Sequence, residues 1–134
     1  MNIEQKIETF LDAPTFGVIG ASANPEKYGN KVLRCYLQNG HRAIPVNPVE
    51  ATIAGQNCVK SVRDLPDEVT SISVITPPPV TEQVVEQAIA RGIKNIWMQP
   101  GAENPAAIAA CEAAGINLIA DGSCVLVVMG YHEH

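Results

Sequence analysis

Aromatic residues make up only 4% of the 134-residue chain, although 46% of it is hydrophobic. Its core must therefore be assembled from Val, Ile, Leu and Ala. No apolar run approaches the roughly 20 residues that a membrane-spanning helix requires, so no membrane association is expected. The opening stretch Met1-Asn2-Ile3-Glu4-Gln5-Lys6 lacks the basic-then-apolar order of a secretory leader. Cys35, Cys58, Cys111 and Cys124 form no C-x-x-C pair; they read as reduced thiols of a cytoplasmic protein. Positive charge is also in deficit. A net charge of −5 excludes general nucleic-acid binding, which needs a basic face. There is no G-x-S-x-G elbow and no H-E-x-x-H motif, and His132 and His134 stand at the extreme end of the chain. Neither a catalytic group nor a metal site is expected.

What is present is a regular alternation. The length fits one domain, residues 1–134, of which roughly two-thirds of the unfolded surface can be buried. Ile3, Ile7, Phe10 and Leu11 share a helical face, so residues 1–12 predict an N-terminal helix. Strands are expected over 16–19, 42–46, 72–75, 94–98 and 117–120. Helices are expected over 27–39, from Val80 to Gly92, and from Asn104 to Gly115, with Asn104 as cap and Pro105 in the first turn. Residues 49–71 are weakly patterned, with Val62 and Leu65 anchoring a helical turn. The tail from Ser123 to Met129 reads as a strand by composition or as a capped helix by position. Strands alternating with helices give parallel βαβ units. The expected fold is α/β: a Rossmann-like, doubly wound, parallel five-stranded sheet in a three-layer αβα arrangement.

Ligands of such sheets bind beyond the C-terminal ends of the strands, which singles out four loops. In the first, Gly20 permits a tight turn, Ala21 and its small neighbours let backbone approach a ligand, and Ser22 and Asn24 add polar side chains. With the following helix start, this makes an anion site suited to phosphate or diphosphate. Lys27 is the first candidate counter-charge and Arg42 the second, while Lys31 and Arg34 read as a solvated face. No acidic residue stands between Lys27 and Val49. Asn47 and Pro48 end the second strand where NAD-binding sheets carry an acid, and G-x-G-x-x-G is matched only at its first glycine. Thr76-Pro77-Pro78-Pro79 makes a stiff apolar wall, because proline fixes φ and removes N–H donors. Gln99-Pro100-Gly101 offers an amide and open backbone. Each loop also reads as an ordinary turn.

Taken as a set, Gly20-Ala21-Ser22, Lys27-Tyr28-Gly29, Ile44-Pro45-Val46-Asn47-Pro48, Val74-Ile75-Thr76-Pro77-Pro78 and Trp97-Met98-Gln99-Pro100-Gly101-Ala102 resemble the small bacterial CoA-binding proteins. These are similar to the N-terminal CoA-binding domain of the succinyl-CoA synthetase alpha subunit. The resemblance implies coenzyme A, or an acyl-CoA, as the ligand. Its diphosphate would meet Gly20, Ala21, Ser22, Asn24 and Lys27. Its adenosine would lie near Asn47, Pro48, Thr76, Pro77 and Pro78, and its pantetheine arm would run toward Gln99 and Gly101. The synthetase's phosphohistidine domain has no counterpart here, so the resemblance carries binding without catalysis. The apolar Val125–Val128 stretch departs from the more polar helix usual in that family. The competing readings are an NADP-dependent oxidoreductase and the CoA-binding subunit of a split acyl-CoA synthetase. A partner subunit or a second copy of the chain stays open.

Overall fold

All strands of the main sheet run parallel, and their order places the first strand near the centre. The computed structural model describes residues 1–133. Its main sheet is formed by β1 (Thr15–Ile19), β2 (Arg42–Val46), β5 (Val69–Val74), β6 (Asn95–Met98) and β7 (Asn117–Ile119), in the order β2-β1-β5-β6-β7. A small antiparallel hairpin, β3 (Thr52–Ile53) with β4 (Gln56–Asn57), follows β2. The helices are α1 (Ile3–Leu11), α2 (Tyr28–Gln38), α3 (Pro78–Arg91), α4 (Pro105–Ala113) and the one-turn α5 (Val125–Val128). The expected α/β sheet of five parallel strands, covered on both faces, is what forms. No helix among the described residues is long and apolar enough to cross a membrane.

The helix starts follow their caps. Asn2 and Gln5 form a reciprocal capping box on α1, and Asn104 Oδ1 accepts from Ala107 N at 3.1 Å ahead of Pro105. On one face of the sheet, α1, α2 and α5 cover Phe10, Phe16, Val18, Tyr36, Trp97 and Ile119. On the other, α3, α4 and a 3-10 turn at Val62–Asp64 cover an aliphatic layer that includes Ile72, Val74, Ile96 and Met98. The few aromatic residues are thus concentrated on the first face. Phe16 stacks on Tyr36 at 4.6 Å and on Phe10 at 5.5 Å, and Trp97 meets Phe10 edge-on at 5.3 Å. Such pairs add about 0.5–1.5 kcal/mol each beyond area burial.

One strand boundary needs amendment, and two segments that the sequence left open take a definite form. β5 begins at Val69, earlier than residue 72, because Ser71 belongs to the ladder: it faces the aromatic layer, where its Oγ donates to the Phe10 carbonyl. The weakly patterned 49–71 segment holds the hairpin and then returns to the sheet. Val59 makes a single parallel bridge to Val46, on the edge of β2 that β1 does not use. A sixth strand is thereby reduced to one residue. The tail is helical: Gly122 turns it at φ +92°, Asp121 Oδ1 accepts from Ser123 N, and Gln99 Oε1 accepts from Val125 N at 2.8 Å. Val125 is buried and Leu126 packs partly against the same cluster, whereas Val127 is 80% exposed, so the apolar run serves the core through its first two residues.

Candidate functional site

The chain leaves β1 toward β2 on one side, while β5 pairs with β1 on the other. That reversal opens a crevice at the C-terminal edge, between the loops that follow β1 and β5. Gly20 turns the first loop with φ +92°, and a Cβ there would overlap the Ile75 carbonyl oxygen at the start of the second loop. Only glycine fits both requirements.

The loop from Gly20 to Lys27 is held by amides outside it. Asn47 Nδ2 donates to the Ala21 carbonyl at 3.0 Å, and Asn30 Nδ2 donates to the Ser22 carbonyl at 2.8 Å. Arg34 reaches the Pro25 carbonyl at 2.9 Å and the Asn30 Oδ1 at 2.6 Å. Within the loop, Ser22 Oγ accepts from Asn24 N, and Asn24 Oδ1 accepts from Glu26 N. Carbonyls are thus pulled back onto the protein by Asn47, Asn30 and Arg34, leaving the loop a fixed shape over the helix start.

Beside this loop lies a cleft of about 430 Å³. Ile19, Val46, Val62 and Val84 make its apolar floor. Gly20, Ala21, Asn47, Pro48 and Thr76 line its mouth, Val80, Gln83 and Gln87 of α3 form one wall, and Lys60 and Ser61 form the other. From Thr76 the edge continues into two smaller hollows of about 240 and 270 Å³. These share Ile75, Gln99 and Pro100; the first adds Pro77, Gly101 and Ala102, the second Tyr28 and Cys124. Gln99 is buried, its Oε1 taken by Val125 N and its Nε2 lying 3.3 Å from Cys124 Sγ.

The expected residues fall into three groups. Gly20, Ala21, Asn47, Pro48, Thr76, Pro77, Gln99 and Gly101 line the cleft or the hollows. Ser22, Asn24 and Lys27 lie on the loop itself and do not line the cleft. Pro78 is the first residue of α3, where its carbonyl accepts from Asn104 Nδ2. Arg42, expected as the second counter-charge, instead sits at the opposite end of β2 and pairs with Glu68 at 3.2 Å, away from the C-terminal loops. Arg34 is a structural clamp rather than a solvated side chain. Lys31 and Arg34 both lie 3.4 Å from Glu133, and the Arg34 guanidinium lies over the Tyr131 ring. Sequence reasoning missed Lys60, Ser61, Gln83 and Gln87. The first two lie in the unpatterned segment, and the two glutamines look like an ordinary exposed helix face.

The remaining thiols take no part in this edge. Burial pushes both Cys35 and Cys111 up to about 11, so they stay protonated at neutral pH.

With that geometry in place, comparison with known proteins is informative. The family model for a CoA binding domain matches residues 14–129. The II subunit alpha of ADP-forming acetate–CoA ligase from Pyrococcus furiosus is 29% identical over 91 residues, which is 67% of this chain and 20% of that subunit. The chain therefore spans only a fifth of that relative. Among solved structures, a conserved hypothetical protein from Pyrococcus furiosus is 40% identical with a TM-score of 0.81, covering 85% of this chain and 97% of its own. A hypothetical protein from Pyrococcus horikoshii is 31% identical with a TM-score of 0.87, covering 95% of this chain and 89% of its own.

Proposed function

The chain belongs to the CoA-binding domain family, and from that premise we propose that it binds coenzyme A or an acyl-CoA along the C-terminal edge of its sheet, without catalysis of its own. The observation that carries this reading is the continuity of the edge. A loop of fixed shape at a helix start, a mostly apolar cleft and two smaller hollows toward Gln99 follow one another along the edge. Coenzyme A has matching parts: a diphosphate, a flat base on a ribose, and a long neutral arm.

In this arrangement the Gly20–Asn24 backbone and the start of α2 receive the diphosphate. The adenosine enters the cleft over Ile19 and Val46, beside Asn47 and Pro48. The arm follows Thr76 and Pro77 toward Gln99 and Gly101. Lys27, exposed at the N-cap of α2, adds positive potential without an ion-pair partner among the described residues.

The test is calorimetry and thermal denaturation with CoA, acetyl-CoA, NADP and ATP. At a CoA concentration 100 times Kd, linkage adds about 2.7 kcal/mol to stability, which raises Tm by several degrees. Ser22→Asp puts a carboxylate beside the diphosphate and weakens CoA binding. No Tm shift at millimolar CoA, or a larger one with NADP, overturns the reading.

A companion role beside a catalytic chain is the second reading. It is favoured by the relative named as a ligase subunit. Co-purification of a second protein from the native cell supports it, and isolation of the chain alone with bound CoA opposes it.

A further inference from the structure

We propose that Lys60 is the residue that reads a phosphate monoester on the ribose, and so sets the preference of the cleft for coenzyme A over nucleotides lacking that group. The inference rests on the proposed CoA site and names a residue that decides its specificity.

Three observations carry it. First, among the described residues Lys60 is the only charged side chain lining the cleft or either of the two smaller hollows of the edge. The rest of the 430 Å³ cleft is lined by apolar, amide, hydroxyl and backbone groups, which can hold a base but offer no counter-charge. Second, the lysine is not committed elsewhere. The ion pairs among the described residues are Lys31 and Arg34 with Glu133, and Arg42 with Glu68. The nearby Asp64 carboxylate is held by Ser61 Oγ at 3.0 Å.

Third, the fold fixes where this charge stands. Val59 is tied to β2 by two ladder bonds: its N–H donates to Pro45 O at 3.0 Å, and its carbonyl accepts from Asn47 N at 2.9 Å. Ile19, Val46 and Val59 therefore lie in one row across adjacent strands. Lys60 follows Val59 as Gly20 follows Ile19, two strand spacings away, or about 10 Å. Lys60 and the Gly20 loop thus face each other from different sides of the cleft. A phosphate carried by the ribose, lying between the loop and the far wall, falls within reach of a lysine side chain. As the cleft's own charged side chain, Lys60 gives a positive lining to a protein of net charge −5, which favours an anion there.

The experiment compares CoA with 3′-dephospho-CoA on the wild-type chain, Lys60→Gln and Lys60→Arg, by calorimetry at low and moderate salt. The wild type is expected to bind CoA about tenfold more tightly than 3′-dephospho-CoA, as one charge-assisted contact provides. In Lys60→Gln that ratio falls to near one, through loss of CoA affinity alone, and Lys60→Arg restores it. The wild-type ratio shrinks as salt rises. If Lys60→Gln keeps the wild-type ratio, or the wild type binds both ligands equally, the role of Lys60 is overturned while CoA binding stands. If the wild type binds neither ligand, the proposed site fails and this inference with it.

Discussion

The carbonyl oxygen of Gly20 occupies the position where a side chain on Gly29 would begin. The first turn of α2 thus packs directly against the loop that leaves β1, and the last glycine of Lys27-Tyr28-Gly29 is required for that approach. It performs the close-packing task of a third fingerprint glycine at a different spacing. Gly29→Ala is expected to cost about 1–3 kcal/mol, as overpacking against backbone does, and to weaken CoA binding by displacing the loop. Urea denaturation and calorimetry check this; an unchanged midpoint with unchanged affinity would refute it.

Asn47 should matter through shape. Its Nδ2 holds the Ala21 carbonyl, and its Oδ1 accepts from Val49 N at 2.8 Å and Glu50 N at 2.9 Å. Asn47→Ala removes all of these and should cost about 1–2 kcal/mol. Asn47→Asp keeps the acceptors but sets a carboxylate oxygen against the Ala21 carbonyl and adds a negative charge at the cleft mouth. It should lose more affinity for an anionic ligand than Asn47→Ala does. Equal affinity losses in the two variants would contradict this.

The thiols divide by burial. Cys58 and Cys124 are partly exposed, whereas Cys35 and Cys111 are buried. A thiol reagent on the native protein should modify the first pair and reach the second only in denaturant. Cys35 and Cys111 titrate near 11 when folded, above their unfolded value. Their contribution is complete below pH 9 and is lost as pH rises toward 11, because the unfolded chain releases those protons first. Each contributes a fall of at most about 1.4 kcal/mol per pH unit. Burial raises Tyr36 as well, steepening the loss above its ordinary range. A urea midpoint that does not change between pH 9 and 11 would exclude this.

Arg42 provides a contrast to Lys60. Its side chain is 71% exposed in its pair with Glu68, at the sheet edge away from the cleft. Arg42→Ala is expected to change stability by less than about 0.5 kcal/mol and to leave CoA affinity unaltered. A tenfold loss of affinity would move the site.

The hairpin turn carries a removable strain. Ala54 has φ +50° beside Gly55 at φ +78°, the backbone of a turn that favours Asn-Gly. Ala54→Asn should raise stability by about 0.5 kcal/mol, since asparagine tolerates that region better. A lower melting temperature would disprove it.

Sequence alone determined the sheet, its parallel strands and the loops at its C-terminal edge. Hydrophobic period, Gly and Pro punctuation and side-chain caps act over a few residues, so Phe16–Ile19, Asn39-Gly40 and Asn104-Pro105 declare themselves locally. Tertiary structure decided what depends on distant partners. It made Asn47, Asn30 and Arg34 clamps of the first loop and drew Lys60 beside Val46 through one bridge at Val59. It also turned the Val125–Val128 run into a helix, because Gln99, far back in the chain, accepts its first amide. A side chain's neighbours across a sheet follow from strand order and register, which no local pattern encodes.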